Sequence, residues 1–257
     1  MITNMYSQKE IIESMIYLKQ KFTEISKKGY IKGICNGYSS IGRTFENELG
    51  LVENEFGIPD YNGIEIKTRR TYSKSAITLF NATPDGDKLF EMERLKNTYG
   101  YPCKKDKRFK VLYIEAYGNK LNFAGIKYQY KIEVDRINKK IYLCVFGSNN
   151  IIIERKVSWS FRYIEEKLII KTNYLALINA WDKKIDNIEY FKYYKINFYK
   201  LISFDKFIDL LENGTIKIVI KVDIHTGKNN YGKTYDHGCG FTIKEENLTK
   251  LFKKIII

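Results

Sequence analysis

Nine residues, Pro59-Asp60-Tyr61-Asn62-Gly63-Ile64-Glu65-Ile66-Lys67, constrain this chain more than any other stretch. An acid sits in a turn, and a glycine, a second acid and a lysine follow on a short strand. The last four residues alternate apolar and charged, the two-residue period of a strand. Ile64 and Ile66 can therefore anchor one face in a core while Glu65 and Lys67 converge on the other, beside Asp60. Two carboxylates a few ångströms apart repel, and they stay ionised most easily by sharing a hard cation. Oxygen ligands of this kind suit Mg2+, with Mn2+ able to substitute. A cation held by Asp60, Glu65 and the Ile66 carbonyl would relieve charge on a phosphodiester and on its leaving oxygen. Lys67 would orient the water or neutralise the attacked phosphate.

Glu-x-Lys alone is a cheap pattern. It recurs at Glu154-Lys156 and Glu165-Lys167, but neither copy has an aspartate five residues upstream. The bland alternative for 60–67 is a tight turn followed by a solvated strand with a surface ion pair.

Composition moves the balance toward a polyanion partner. The 257 residues suffice for one large domain or two small lobes with a real core. Net charge is +14, and 21 tyrosines dominate an aromatic content of 15%. Such a field attracts polyanions and speeds their capture. Residues 1–10 are polar, without the apolar stretch of a secretory signal, and no run reaches the roughly 18 apolar residues of a membrane span. These features lead to the expectation of a cytoplasmic, prokaryotic protein. Cys35, Cys103, Cys144 and Cys239 are scattered without a Cys-x-x-Cys pair, so free thiols are expected rather than a zinc site.

Ser7 and Glu10 make a capping box ahead of a long amphipathic helix ending near Gly29. Thr44 is positioned to cap a short helix over 45–49, stopped by Gly50. Strands are expected at 76–80, 109–117, 126–135, 140–146, 150–157 and 170–179, with an extended segment at 189–201. Helices are expected at 88–98, 160–168 and 204–212. From Ile216 to Ile224 every second residue is aliphatic, a half-buried strand. No linker or repeat breaks the chain. Two lobes sharing one body are expected, with a catalytic lobe over about 1–98 and a DNA-recognition lobe over 99–257.

Both histidines of the protein, His225 and His237, fall within 225–240 together with Lys228, Lys233, Asp236 and several glycines. Glycines allow close backbone approach, and Lys and His offer donors to phosphates or base edges. The alternative is an exposed hairpin loop.

Gly42-Arg-Thr-Phe-Glu46, the 59–68 segment, Leu79-Phe80, Ser158-Trp159-Ser160-Phe161, Glu212-Asn213-Gly214 and His225-Thr-Gly-Lys through Asp236-His237-Gly238 occur in one order across nearly the whole chain. In this the sequence resembles the MvaI/BcnI family of type II restriction endonucleases, most of all its MvaI branch. That family shares its catalytic core with the mismatch-repair nickase MutH. The resemblance implies a mixed α/β (α+β) fold with a PD-(D/E)xK core, its catalytic and DNA-recognition lobes enclosing a cleft. It also implies Mg2+-dependent hydrolysis of double-stranded DNA by a monomer at a short, nearly palindromic site, with a cognate methyltransferase in the same restriction–modification system. By the same resemblance Asp60 and Glu65 are metal ligands, Lys67 is the catalytic lysine and Glu46 an additional active-site acid. His225, Asp236, His237 and Lys221 fall in the base-reading region, Lys221 and Thr242 standing where the MvaI branch has arginine. Arg69 and Arg70, directly after the metal strand, are expected to grip the DNA backbone. The alternatives are a MutH-like nicking endonuclease and a non-catalytic DNA-binding protein.

Overall fold

The computed structural model describes residues 6–51 and 59–257; the first five residues of the polar amino terminus lie outside it. Along the chain run α1 (Gln8–Lys27), β1 (Ile31–Lys32), α2 (Ser40–Glu48), β2 (Ile64–Arg70), β3 (Ile77–Asn81), α3 (Lys88–Tyr99), β4 (Tyr101–Pro102) and β5 (Lys110–Tyr117). Then come β6 (Asn122–Ala124), β7 (Tyr128–Asp135), β8 (Lys140–Phe146), β9 (Ile152–Glu154), β10 (Ser158–Ser160), α4 (Phe161–Thr172), β11 (Tyr174–Ile185) and β12 (Ile188–Leu201). The last elements are α5 (Phe204–Glu212), β13 (Ile216–Ile224), β14 (Thr234–Ile243), α6 (Leu248–Leu251) and β15 (Phe252–Ile255). No helix among the described residues is long and apolar enough to cross a membrane. None of the four cysteines forms a disulfide.

These elements form two compact units, each assembled from separate stretches of chain. One unit comprises residues 1–75, 168–202 and 249–257; the other comprises 76–167 and 203–248. The single boundary expected near residue 98 therefore does not describe them. Residues 76–98 pack with the second unit, and 168–202 return to the first.

The first unit is built on a five-stranded sheet ordered β1-β12-β11-β2, with β15 also on β12. Its β2 pairs in parallel with β11, Ile64 opposite Tyr174 and Ile66 opposite Ala176. A parallel neighbour needs a long crossover connection, and here the connection carries most of the second unit. The capping box forms as the sequence predicts, Ser7 and Glu10 each bonding the other's backbone N–H. Ile11, Met15, Leu18, Phe22 and Ile25 of α1 bury against Phe45, Ile64, Ile66, Ile178 and Tyr193. Helix α2 starts at Ser40 rather than 45. Thr44 is no cap: it is buried within the helix, and its hydroxyl accepts the Ile34 N–H at 3.2 Å.

The second unit has two sheets, β3-β14-β13-β5-β4 and β10-β8-β7-β6, with β9 on β8. Its core is aromatic. Phe241 stacks on Phe80 at 5.0 Å, with Phe207 at 5.8 Å and the edge of Trp159 at 6.0 Å. The buried Trp159 indole finds its acceptor in the Ala82 carbonyl at 3.1 Å, as a buried N–H requires. Strand β13 alternates as expected, Ile216, Ile218, Ile220, Val222 and Ile224 buried and Lys217, Val219, Lys221 and Asp223 on the other face.

Candidate active site and nucleic-acid interface

The turn before β2 is closed by two backbone hydrogen bonds, Tyr61 N–H to Ile64 O at 3.0 Å and Ile64 N–H to Tyr61 O at 2.7 Å. Its two central residues, Asn62 and Gly63, have φ of 40° and 81°. Asn and Gly tolerate that left-handed backbone better than other residues, and the pair is the preferred two-residue hairpin turn. The turn folds Asp60 back along the strand, where its Oδ2 accepts the Ile66 N–H at 2.9 Å. In a strand the N–H and C=O of one residue point to the same side. The Ile66 carbonyl is thus directed toward Asp60, at the sheet edge that β2 forms.

Glu65 is 3% exposed, while Ile64 and Ile66 lie in the core on the opposite face. Lys67 Nζ sits 2.5 Å from Glu65 Oε1, and Lys171 Nζ, from α4, 3.2 Å from Oε2. Burial pushes the Glu65 carboxyl above its ordinary range and the Asp60 charge adds to this; the Lys67 and Lys171 charges and the Lys67 hydrogen bond oppose them without fully compensating. A buried carboxylate under this strain is a hard oxygen donor that gains from a cation. Among the described residues no three His, Cys, Asp or Glu side chains converge. Two carboxylates and a carbonyl still fit a hard divalent ion such as Mg2+, which commonly takes one or two protein carboxylates and completes its shell with water and substrate phosphate.

Lys171 is absent from the sequence reading. It lies 106 residues from Glu65, and no local pattern marks it. Glu46 comes from α2, whose Gly42 lets the helix approach β2: a Cβ there would lie 3.2 Å from Thr68 Oγ1 and 3.7 Å from Glu46 Oε1. Glu46 is thus placed beside Gly42 and Thr68, on the α2 side of the strand.

Arg69 and Arg70 close strand β2. Arg69 is 9% exposed and donates to the Ser73 carbonyl at 2.6 Å. Arg70 bridges Asp182 at 2.7 Å and Glu189 at 2.9 Å, over the Phe191 ring. Both arginines are engaged by groups of the first unit.

The 225–240 segment comprises the β13–β14 connection, 225–233, and the first part of β14; the connection is closed by His225 N–H to Lys233 O at 2.8 Å and Gly232 N–H to His225 O at 3.0 Å. Tyr235 packs between the tilted His225 ring at 4.7 Å and the His237 ring, edge-on at 4.3 Å, so the three rings form one aromatic cluster. Lys221 is exposed at the irregularity between Ile220 and Val222, and Lys228 and Lys233 are exposed in the connection. Asp236 alternates with these aromatics, lies on the other face, and accepts the Gly238 N–H at 2.7 Å. It is therefore not grouped with the histidines. Thr242 is buried and contacts the Lys217 carbonyl at 3.4 Å. Tyr113, Glu115 and Asp223 join Lys221 and His237 in one open concavity. Asp223 was readable from strand alternation, whereas Tyr113 and Glu115 arrive only through β5–β13 pairing.

Comparison with known proteins fits this geometry. No curated protein matches the chain. A structure described as a restriction endonuclease MvaI–cognate DNA substrate complex superposes with a TM-score of 0.87 at 30% identity, covering 95% of this chain and 98% of that one. A structure of MvaI in the absence of DNA gives 0.61 at 27% identity, covering 99% and 100%. Residues 19–252 match the model of the MvaI/BcnI restriction endonuclease family. The family match over residues 19–252 and the superposition over nearly the whole chain make this a type II restriction endonuclease belonging to the MvaI/BcnI family.

Proposed function

We infer that this endonuclease uses Mg2+ to hydrolyse phosphodiesters of double-stranded DNA at a short, nearly palindromic site, acting as a cytoplasmic monomer beside a cognate methyltransferase. The reading assigns the metal to Asp60, Glu65 and the Ile66 carbonyl. It is carried by one observation: a 3% exposed carboxylate, Glu65, pressed by Asp60 and held between two lysines.

Bound there, the cation would withdraw charge from the attacked phosphate and from the departing oxygen. The chain supplies the rest. Lys67 Nζ, fixed by Glu65, is placed to hydrogen-bond a phosphate oxygen or to orient the attacking water. Lys171 shares the Glu65 charge, so the carboxylate does not rest on Lys67 alone. The surface of His225, Tyr235, His237 and Lys221 is assigned to base edges, with Lys228 and Lys233 on phosphates. Glu46 is assigned a supporting role on the α2 side.

The test incubates the purified protein with plasmid and phage DNA in Mg2+, in Mn2+ and in EDTA, and sequences the ends. Discrete double-strand fragments sharing an end sequence in Mg2+ and Mn2+, none in EDTA, and none from Asp60→Ala or Glu65→Ala, are expected. Cutting by either variant at the wild-type rate removes these residues from the mechanism. Nicks alone favour a MutH-like enzyme, and binding without cutting favours a non-catalytic protein.

A further inference from the structure

Tyr113, Glu115, Lys221, Asp223 and His237 line an open concavity of about 440 Å³ on the exposed face of the β3-β14-β13-β5-β4 sheet. Two carboxylates on this face are unexpected in a chain of net charge +14 whose partner is a polyanion. An acid turned toward DNA is repelled by phosphate, and it is favourable there only where it accepts from a donor.

Glu115 is already committed. Lys217 Nζ lies 2.7 Å from one of its oxygens, and the Tyr117 hydroxyl donates to the other at 3.0 Å. Asp223 is not. The Tyr113 hydroxyl donates to one oxygen and the Ile224 N–H to the other, the latter at 2.8 Å. An ionised carboxylate offers about four acceptor positions, so lone pairs remain on both oxygens in a direction these two bonds fix. Lys221 precedes it by two residues on the same strand face, roughly 7 Å along the strand. Lys221 makes no ion pair among the described residues.

A fixed acceptor beside an unpaired ammonium complements the major-groove edge of a G·C pair. Guanine presents two adjacent acceptors, N7 and O6, and cytosine one amino donor, N4. We propose that Asp223 is a specificity-determining residue that accepts the cytosine N4 amino hydrogen while Lys221 donates to the guanine of the same pair. The proposal rests on the assignment of this sheet face to DNA.

Cleavage selection from a randomised duplex library locates the pair. At one position wild type requires G·C, and Asp223→Ala lowers that preference on the order of tenfold or more. The decisive probe is the selected site with that cytosine replaced by 2-pyrimidinone, which lacks only the 4-amino group. Wild type loses a similar factor on this duplex, and Asp223→Ala loses little further. Equal losses in both proteins, or relaxation at an A·T position, overturn the proposal. Binding to non-specific duplex in EDTA separates it from the assignment beneath it. Asp223→Ala binds more tightly and Lys221→Ala more weakly if this face meets DNA. No change in either variant means that the face assignment has failed, and the proposal with it. If Asp223→Ala melts below the assay temperature, Tyr113→Phe, which frees the carboxylate without removing it, is read instead. It relaxes the same position by a smaller factor, and an unchanged preference overturns the proposal.

Discussion

Glu65 shows how one side chain is forced into a role by its surroundings. Alternation puts it opposite Ile64 and Ile66, the isoleucines take the core, and the acid is carried into burial with them. Lys67 was visible as its partner because the two are strand neighbours on one face. Lys171 was not, since only the folded chain brings α4 to β2. If Lys171 holds part of the Glu65 charge, Lys171→Met destabilises the protein by about 1–3 kcal/mol in EDTA. Added Mg2+ then recovers more of the melting temperature than it does in wild type. An equal Mg2+ gain in both proteins contradicts that role. The arginines that follow teach the converse. Arg69 and Arg70 lie on the same strand as Glu65 and Lys67, yet their side chains find Ser73, Asp182 and Glu189. Proximity along the chain gives position, while direction depends on which partners the sheet supplies.

Elements with strong local signals were legible to within a residue or two. The Ser7–Glu10 box starts α1, Ser203 caps α5 through the Lys206 N–H, and alternation gives β13. Helix α2 was misjudged because its first turn, Ser40 to Arg43, carries no side-chain cap bond, and its burial comes from β2. Helix α4 runs on to Thr172, into residues that read as strand from their apolar content; a short apolar run does not distinguish the two states. Contacts between elements also set pH limits. Arg94 of α3 grips Glu154 of β9 at 2.7 Å, and the Tyr99 hydroxyl adds a bond at 2.8 Å. Burial pushes the Glu154 carboxyl up, but the Arg94 and Tyr99 hydrogen bonds and the Arg94 and Lys156 charges bring it net below its ordinary value of 4.5. Because the folded pKa is the lower one, this stability is fully present above about pH 4.5 and is lost as pH falls through the folded value. Glu154→Gln should therefore melt earlier than wild type at pH 7 and lose less on acidification to pH 3, as thermal melts across that range would show. Parallel losses would place the acid sensitivity elsewhere.

At the scale of the molecule, a charge of +14 predicts binding that is steeply salt-dependent. The log–log slope should be roughly −0.9 per phosphate contact neutralised, so six contacts would cost about a thousandfold between 50 and 200 mM salt. A flat response measured by fluorescence anisotropy would mean that the charge is not a DNA footprint. The sequence by itself determined the alternation that sets Glu65 and Lys67 against Ile64 and Ile66, the amphipathic faces and the basic character. Each of these depends on residues within a turn or two of one another, or on a sum over all of them. Only tertiary structure decided that β11 lies beside β2, that Lys171 meets Glu65, and that Tyr113 reaches Asp223. These pairings join segments 100 or more residues apart. Their partners are selected by sheet register and by the shared burial of two cores, and neither leaves a local period in the chain.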